Sequence, residues 1–256
     1  MKPVLPLSGF NAGRVPAVLG KGSVGKQETG VSVQPPPGSL VNISVGERNY
    51  PAYFAAPDSP GKHPALVLLH SFKGLEQGYR ELADRIAGDG FAVVAPGWQA
   101  QGKQPPDPDV AGVIRGSLTY LSRRPEADMN RVGLTGFCAG GRYTMLFLPQ
   151  MKEFRSGVAW YGFPDRGTSP DGIPASHIAR LSVPMLMIHG SRDEASPVKD
   201  IYRYATNLDA AGKYFELKVY QGKPHGFMVV GGALARDDAA EDAYREMMAF
   251  FQRTLA

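Results

Sequence analysis

From Leu40 onward, short apolar runs alternate with stretches of helical spacing. "HPALVLLH" is almost continuously apolar, the pattern of a strand buried on both faces. "YRELADRIAGDG" then places apolar residues three and four apart and stops at a glycine, as an amphipathic helix does. The alternation continues with a strand "FAVVAPG", a helix from Asp109 to Arg124, a strand "RVGLTGF" and a helix from Ala139 to about Leu148. Strands "SGVAWYGF" and "VPMLMIHG" follow, then a helix "VKDIYRYATNLDAAG", a strand "YFELKVYQG" and a closing helix from about Asp238 to Leu255. Two period-2 segments, "LVNISV" and "NYPAYFAAP", precede this series and read as a leading strand pair. The order predicts an α/β fold: one mostly parallel central sheet flanked by helices on both faces.

Residues 1–40 show no such period. They are rich in Gly, Pro, Ser and Val and end in "QPPPGS", so the expected organisation is an extended N-terminal arm, 1–40, and one α/β domain, 41–256. No internal repeat is visible.

Composition narrows the function classes. The 256 residues carry a formal net charge of +4, with the basic residues scattered and no patch suited to nucleic acid. No apolar run approaches membrane-spanning length, and the N-terminus lacks the sustained hydrophobic region of a signal peptide. A soluble cytoplasmic protein is the expectation. The single cysteine cannot close an internal disulfide or build a Cys-rich zinc site, and no histidine–carboxylate cluster has metal-ligand spacing. No phosphate-binding glycine loop follows the early strands. The sequence therefore predicts neither metal nor cofactor.

That one cysteine is framed by glycines two residues to either side: Gly136-Phe137-Cys138-Ala139-Gly140. One reading is a small buried residue near glycines. The other is a nucleophile at a tight strand-to-helix bend, where bulk two residues away would collide and the helix N-terminus favours a thiolate. The strand expected before it and the helix expected after it favour the bend. A thiol nucleophile needs a base, and the base an orienting acid. In α/β-hydrolase sheets these follow in the order nucleophile, acid, histidine, each after a later strand. Asp193 in "MLMIHGSRDEASP" and His225 in "VYQGKPHGF" stand where that order requires. Asp193 could instead cap the next helix, with Glu194 or Asp200 as the acid. Of the other histidines, His70 is expected to buttress the loop after its strand, His189 to be a satisfied core or turn residue, and His63 to lie at the surface; His177 is unassigned.

Together these blocks resemble the dienelactone hydrolase family of α/β-hydrolases from about Leu40 to Leu255. The carriers are "HPALVLLHSFKGL", "ADRIAGDGFAVVAPGW", "RVGLTGFCAGGRY", "VAWYGF", "MLMIHGSRDEASP" and "KPHGF". The resemblance implies an enzyme without cofactor that cleaves a small-molecule lactone or carboxylic ester. It implies Cys138 as nucleophile, His225 as base and acid, and Asp193 as the group orienting the imidazole. The backbone N–H groups of Phe72 and Ala139 would form the oxyanion hole. The family's glutamate before the oxyanion-loop residue is here Ser71, and its substrate-binding arginines are missing from "GWQAQGKQ" and "HGFMVV". Lys73 or Lys103 would then be the candidate point charges. Trp98, Trp160, Tyr161, Phe163, Phe227 and Met228 could line an apolar pocket or belong to the core. Two other functions fit the same residues: acyl transfer to an acceptor other than water, and non-catalytic ligand binding on a hydrolase scaffold. The oligomeric state is left open.

Overall fold

The computed structural model describes residues 38–256. The reading of 1–40 as an arm falls outside these residues except at its end, where Ser39 and Leu40 already pair with Phe54 and Tyr53 in the sheet. Among the described residues, eight strands form one sheet in the order β1-β2-β4-β3-β5-β6-β7-β8. They are β1 Ser39–Val45, β2 Arg48–Ala55, β3 His63–Leu69, β4 Ala92–Pro96, β5 Ala127–Phe137, β6 Ser156–Trp160, β7 Met185–Gly190 and β8 Phe215–Tyr220. The β1–β2 and β2–β4 pairings are antiparallel and the rest are parallel.

The alternation of side chains along the parallel strands builds two cores. In β3, Ala65, Val67 and Leu69 face one cluster, shared with the helices α2 (Asp107–Ser122), α3 (Ala139–Phe147) and α4 (Val198–Ala210). Leu66 and Leu68 face the other, shared with α1 (Gln77–Gly88) and α5 (Asp238–Thr254). Burial on both faces is why these strands read as unbroken apolar runs.

Three features differ from the sequence expectation. β5 starts four residues before "RVGLTGF", because polar Asp128 and Asn130 hide its first half; Asp128 accepts hydrogen bonds from the Asn130 amide and Arg131 Nε. Two 3-10 segments, Pro170–Gly172 and Pro174–Arg180, fill the connection after β6. A small hairpin, β9 Val229–Val230 and β10 Ala233–Leu234, turns at Gly231 and Gly232, both with positive φ. It ties the chain just after His225 to the start of α1, where Gly78 N donates to Gly232 O at 2.7 Å. No helix among the described residues is long and apolar enough to cross a membrane.

Candidate active site

Cys138 sits between the end of β5 and the start of α3 with φ 58° and ψ −114°. A non-glycine residue at such a φ costs on the order of 1–2 kcal/mol, so the surroundings must hold it there. They do. A Cβ on Gly136 would run into the Gly140 backbone, and one on Gly140 would meet the Leu69 carbonyl and His70 O, the latter at 2.7 Å. The flanking glycines thus let the elbow close against the end of β3. Cys138 N donates to Trp160 O at 3.1 Å and Cys138 O accepts the first helical bond from Arg142 N at 2.9 Å. The cysteine is partly exposed rather than sealed in the core. Ala139 opens α3, where an amide has no acceptor within its own helix.

The loops after β7 and β8 are drawn together by Gly190, where a Cβ would strike the Lys223 backbone. Arg192 N donates to Lys223 O at 3.0 Å across the same gap. Asp193 and His225 meet there: His225 Nδ1 lies 2.7 Å from Asp193 Oδ2. Asp193 Oδ1 accepts from Ser196 N at 2.7 Å. Buried His189 places Nε2 2.7 Å from Ser196 O and 3.4 Å from Asp193 Oδ2. Burial lowers the His189 pKa, and because a carbonyl can only accept, its Nε2–H is the donor in that bond. Of the competing carboxylates, Glu194 is exposed and Asp200 pairs with Arg203 at 2.9 Å.

Burial would lower the His225 pKa, but the Asp193 carboxylate and the Cys138 thiol group beside it outweigh that effect and push it up to about 9. Its ring packs edge-on against Tyr161, with centroids 5.0 Å apart, and against Phe163 at 5.4 Å. His225 Nε2 is buried and has no hydrogen-bond partner.

The loop after β3 starts at His70, whose Nδ1 lies 2.7 Å from Ser71 O. Trp98 stacks on the His70 ring at 4.9 Å and donates from Nε1 to His70 O at 3.2 Å. Ser71 is buried and its hydroxyl accepts from Lys73 N at 3.2 Å, while Phe72 and Lys73 project outward. Lys103 is exposed as well. Trp98 and Phe227 are candidate pocket residues that the structure places in the core instead. Trp98 is wedged between His70 and Tyr143, and Phe227 packs on Trp160, Tyr161 and Tyr220. Met228 and Trp160 are likewise fully buried. His63 is half-buried, with Nε2 2.9 Å from Ser59 O, and His177 is buried with Nε2 2.8 Å from Asp171 O.

Two arginines escaped the sequence reading. Arg142, one helical turn after Cys138, forms a two-pronged bridge to Asp107 at 2.8 and 2.7 Å and also donates to Arg166 O at 2.7 Å. It thereby pins the start of α2 and the loop after β6 to α3. Arg166 lies over the Phe163 ring at 4.1 Å and donates to Ala195 O at 2.6 Å, bridging to the Asp193 loop. Nothing local in the sequence marks either role, because every partner is at least 24 residues away except the neighbouring ring. Among the described residues, no group of three or more His, Cys, Asp or Glu side chains could hold a metal ion.

A mostly parallel sheet with a strained residue at the strand-to-helix bend after β5 is an α/β-hydrolase fold. The model of the dienelactone hydrolase family matches residues 50–114 and 98–255, and the chain belongs to that family of hydrolases. A relative from Methylorubrum extorquens, named "Putative carboxymethylenebutenolidase", is 28% identical over 83% of this chain and 80% of its own length. "Protein usf" of Aquifex pyrophilus is 26% identical over 85% of this chain and 99% of its own. A crystal structure titled as a putative dienelactone hydrolase from Klebsiella pneumoniae superposes with a TM-score of 0.78 at 24% identity, covering 84% of this chain and 98% of that one.

Proposed function

We propose that the protein hydrolyses lactones or carboxylic esters through a Cys138–His225–Asp193 triad and a thioester acyl-enzyme. The observation that carries this reading is the 2.7 Å contact between His225 Nδ1 and Asp193 Oδ2 beside the thiol at the elbow. It is supported by the family to which the chain belongs and by the lactone-cleaving name of its relatives.

His225 takes the thiol proton, and Asp193 holds the imidazolium that results. The sulfur attacks the carbonyl carbon, and the oxyanion formed is met by the amides of Ala139 and Phe72. Collapse breaks the ester C–O bond, and the departing oxygen takes the proton from His225. Water, giving a proton to His225, then attacks the thioester, and the sulfur leaves as thiolate with release of the acid. A thiolate departs more readily than an ordinary alkoxide, so the first adduct reverts unless the leaving oxygen is stabilised. Enol- or phenol-like leaving groups are therefore the favoured substrates, and amides are poor ones. Ser71 supplies no carboxylate beside the oxyanion loop, so the proton exchange on sulfur falls to His225.

The test is turnover of a p-nitrophenyl ester and of a lactone panel by the Cys138→Ala variant. Loss of both activities, with the fold intact by circular dichroism, is the expected result. Full activity without the thiol would end the mechanism.

A further inference from the structure

The bend after β6 touches two members of the proposed triad and is bonded to the loop of the third. Trp160 O accepts from Cys138 N at 3.1 Å. Tyr161 and Phe163 each lay a ring against the His225 imidazole, with centroids 5.0 and 5.4 Å away. Between those rings stands Gly162, pressed on the first turn of α3: a Cβ there would meet the Gly141 carbonyl carbon at 2.8 Å. Tyr161 has φ 36°, a strained value for a non-glycine residue that persists only where neighbours over-determine it. Two bonds from outside the bend do so. Tyr161 N donates to Ile188 O in β7 at 2.8 Å, and Gly162 O accepts from Ser196 Oγ at 2.6 Å.

Ser196 is 2% exposed, and each of its polar groups is bonded. Its N donates to Asp193 Oδ1 at 2.7 Å, and its O accepts from His189 Nε2 at 2.7 Å. These two bonds use backbone alone, so alanine would keep them. The hydroxyl does something else: it reaches from the loop of the acid to the chain that carries the rings against the base. An exposed strap joins the same two loops, where Arg166 lies over Phe163 and donates to Ala195 O at 2.6 Å. The ionisable groups facing His225 are Asp193 and His189 from β7 and its loop, Cys138 from the elbow and Tyr161 from the bend. Of these, Asp193 is the one bonded to Nδ1, at 2.7 Å.

We propose that Ser196 is a positioning residue: its hydroxyl locks the Asp193 loop to the bend at Tyr161–Phe163 and so holds the His225 ring on the carboxylate. The inference rests on the thiol mechanism above. Ring-on-ring packing is weakly directional and lets an imidazole slide, whereas a short charge-assisted bond tolerates little displacement. Without the hydroxyl the buried tie is gone, the Gly162 carbonyl loses its donor, and the ring drifts from Asp193.

The experiment compares Ser196→Ala with wild type by ester kinetics across pH and by NMR titration of 15N-labelled histidine. The expected result is a kcat about tenfold lower with KM unchanged, and a similar weakening of proton binding at His225, so that the alkaline limb of kcat/KM moves to lower pH. A folded variant with wild-type kcat overturns the proposal. So does a fall in kcat with the His225 titration unmoved, which is what a merely structural role would give. Should Ser196→Ala fail to fold, Arg166→Ala cuts the exposed strap between the same loops. The His225 titration then moves in the same direction by a smaller amount, and no movement overturns the proposal. Turnover that survives Cys138→Ala sinks the triad instead, while the NMR titration still reports on Ser196 separately.

Discussion

His70 follows β3 and His225 follows β8, at the same edge of one sheet, and burial alone would lower the pKa of each. His70 lies near the Ser71 carbonyl and under the Trp98 indole, and its pKa falls to about 4. His225 has a carboxylate at 2.7 Å and a thiol group beside it, and its pKa rises to about 9. A dipole does not offset the cost of burying an imidazolium, whereas a carboxylate in hydrogen-bond contact more than does so. One ring is fixed as a neutral wedge under the loop after β3. The other keeps its proton to higher pH because a carboxylate faces it.

Removing the carboxylate breaks the comparison most sharply. Asp193→Asn leaves the shape but takes away the anion and the correct tautomer, and ester turnover is expected to drop about 10⁴-fold. In wild type, kcat/KM falls as pH rises through about 9, where His225 loses its proton. In the variant that alkaline limb moves to lower pH. Steady-state kinetics across pH checks both effects.

The stability of the two histidines runs in opposite directions with pH. Burial holds the His70 pKa down at about 4, below the usual imidazole value of about 6.5, so between these pH values the unfolded chain holds more protons. Stability is therefore lost as pH falls from 6.5 to about 4, by up to about 3 kcal/mol. Urea unfolding of His70→Asn across this range should show a flatter acid limb. His225 has the raised pKa, so its contribution is fully present below 6.5 and fades as pH climbs through about 9. The smallest effect belongs to Trp98→Phe, which keeps the stacking on His70 but loses the indole donor to His70 O. A loss of about 1 kcal/mol in unfolding free energy is expected, with esterase activity little changed.

Much of the scaffold was readable beforehand because its causes are local. The doubly buried strands announce themselves as apolar runs, the helices by their spacing, and the elbow by two glycines whose Cβ atoms would strike backbone. The β9–β10 hairpin carries a local signal too, Gly231-Gly232 between apolar pairs. Other questions had no local answer. Asp193, Glu194 and Asp200 are equivalent on paper, and the contact across 32 residues to His225 separates them. Trp98 and Phe227 stand near strand ends as pocket residues would, but the packing of neighbouring rings assigns them to the core. The Arg142 bridge depends on a partner 35 residues back in the chain.

By itself, the sequence determined which segments become strands and helices and where a thiol is lifted on a strained bend, because periodicity and steric exclusion act over a few residues. Tertiary structure alone decided which of two buried histidines has a carboxylate to hold its proton, and which carboxylate that is. Burial and Coulomb interactions depend on what surrounds a group in space, and those neighbours are distant in the chain.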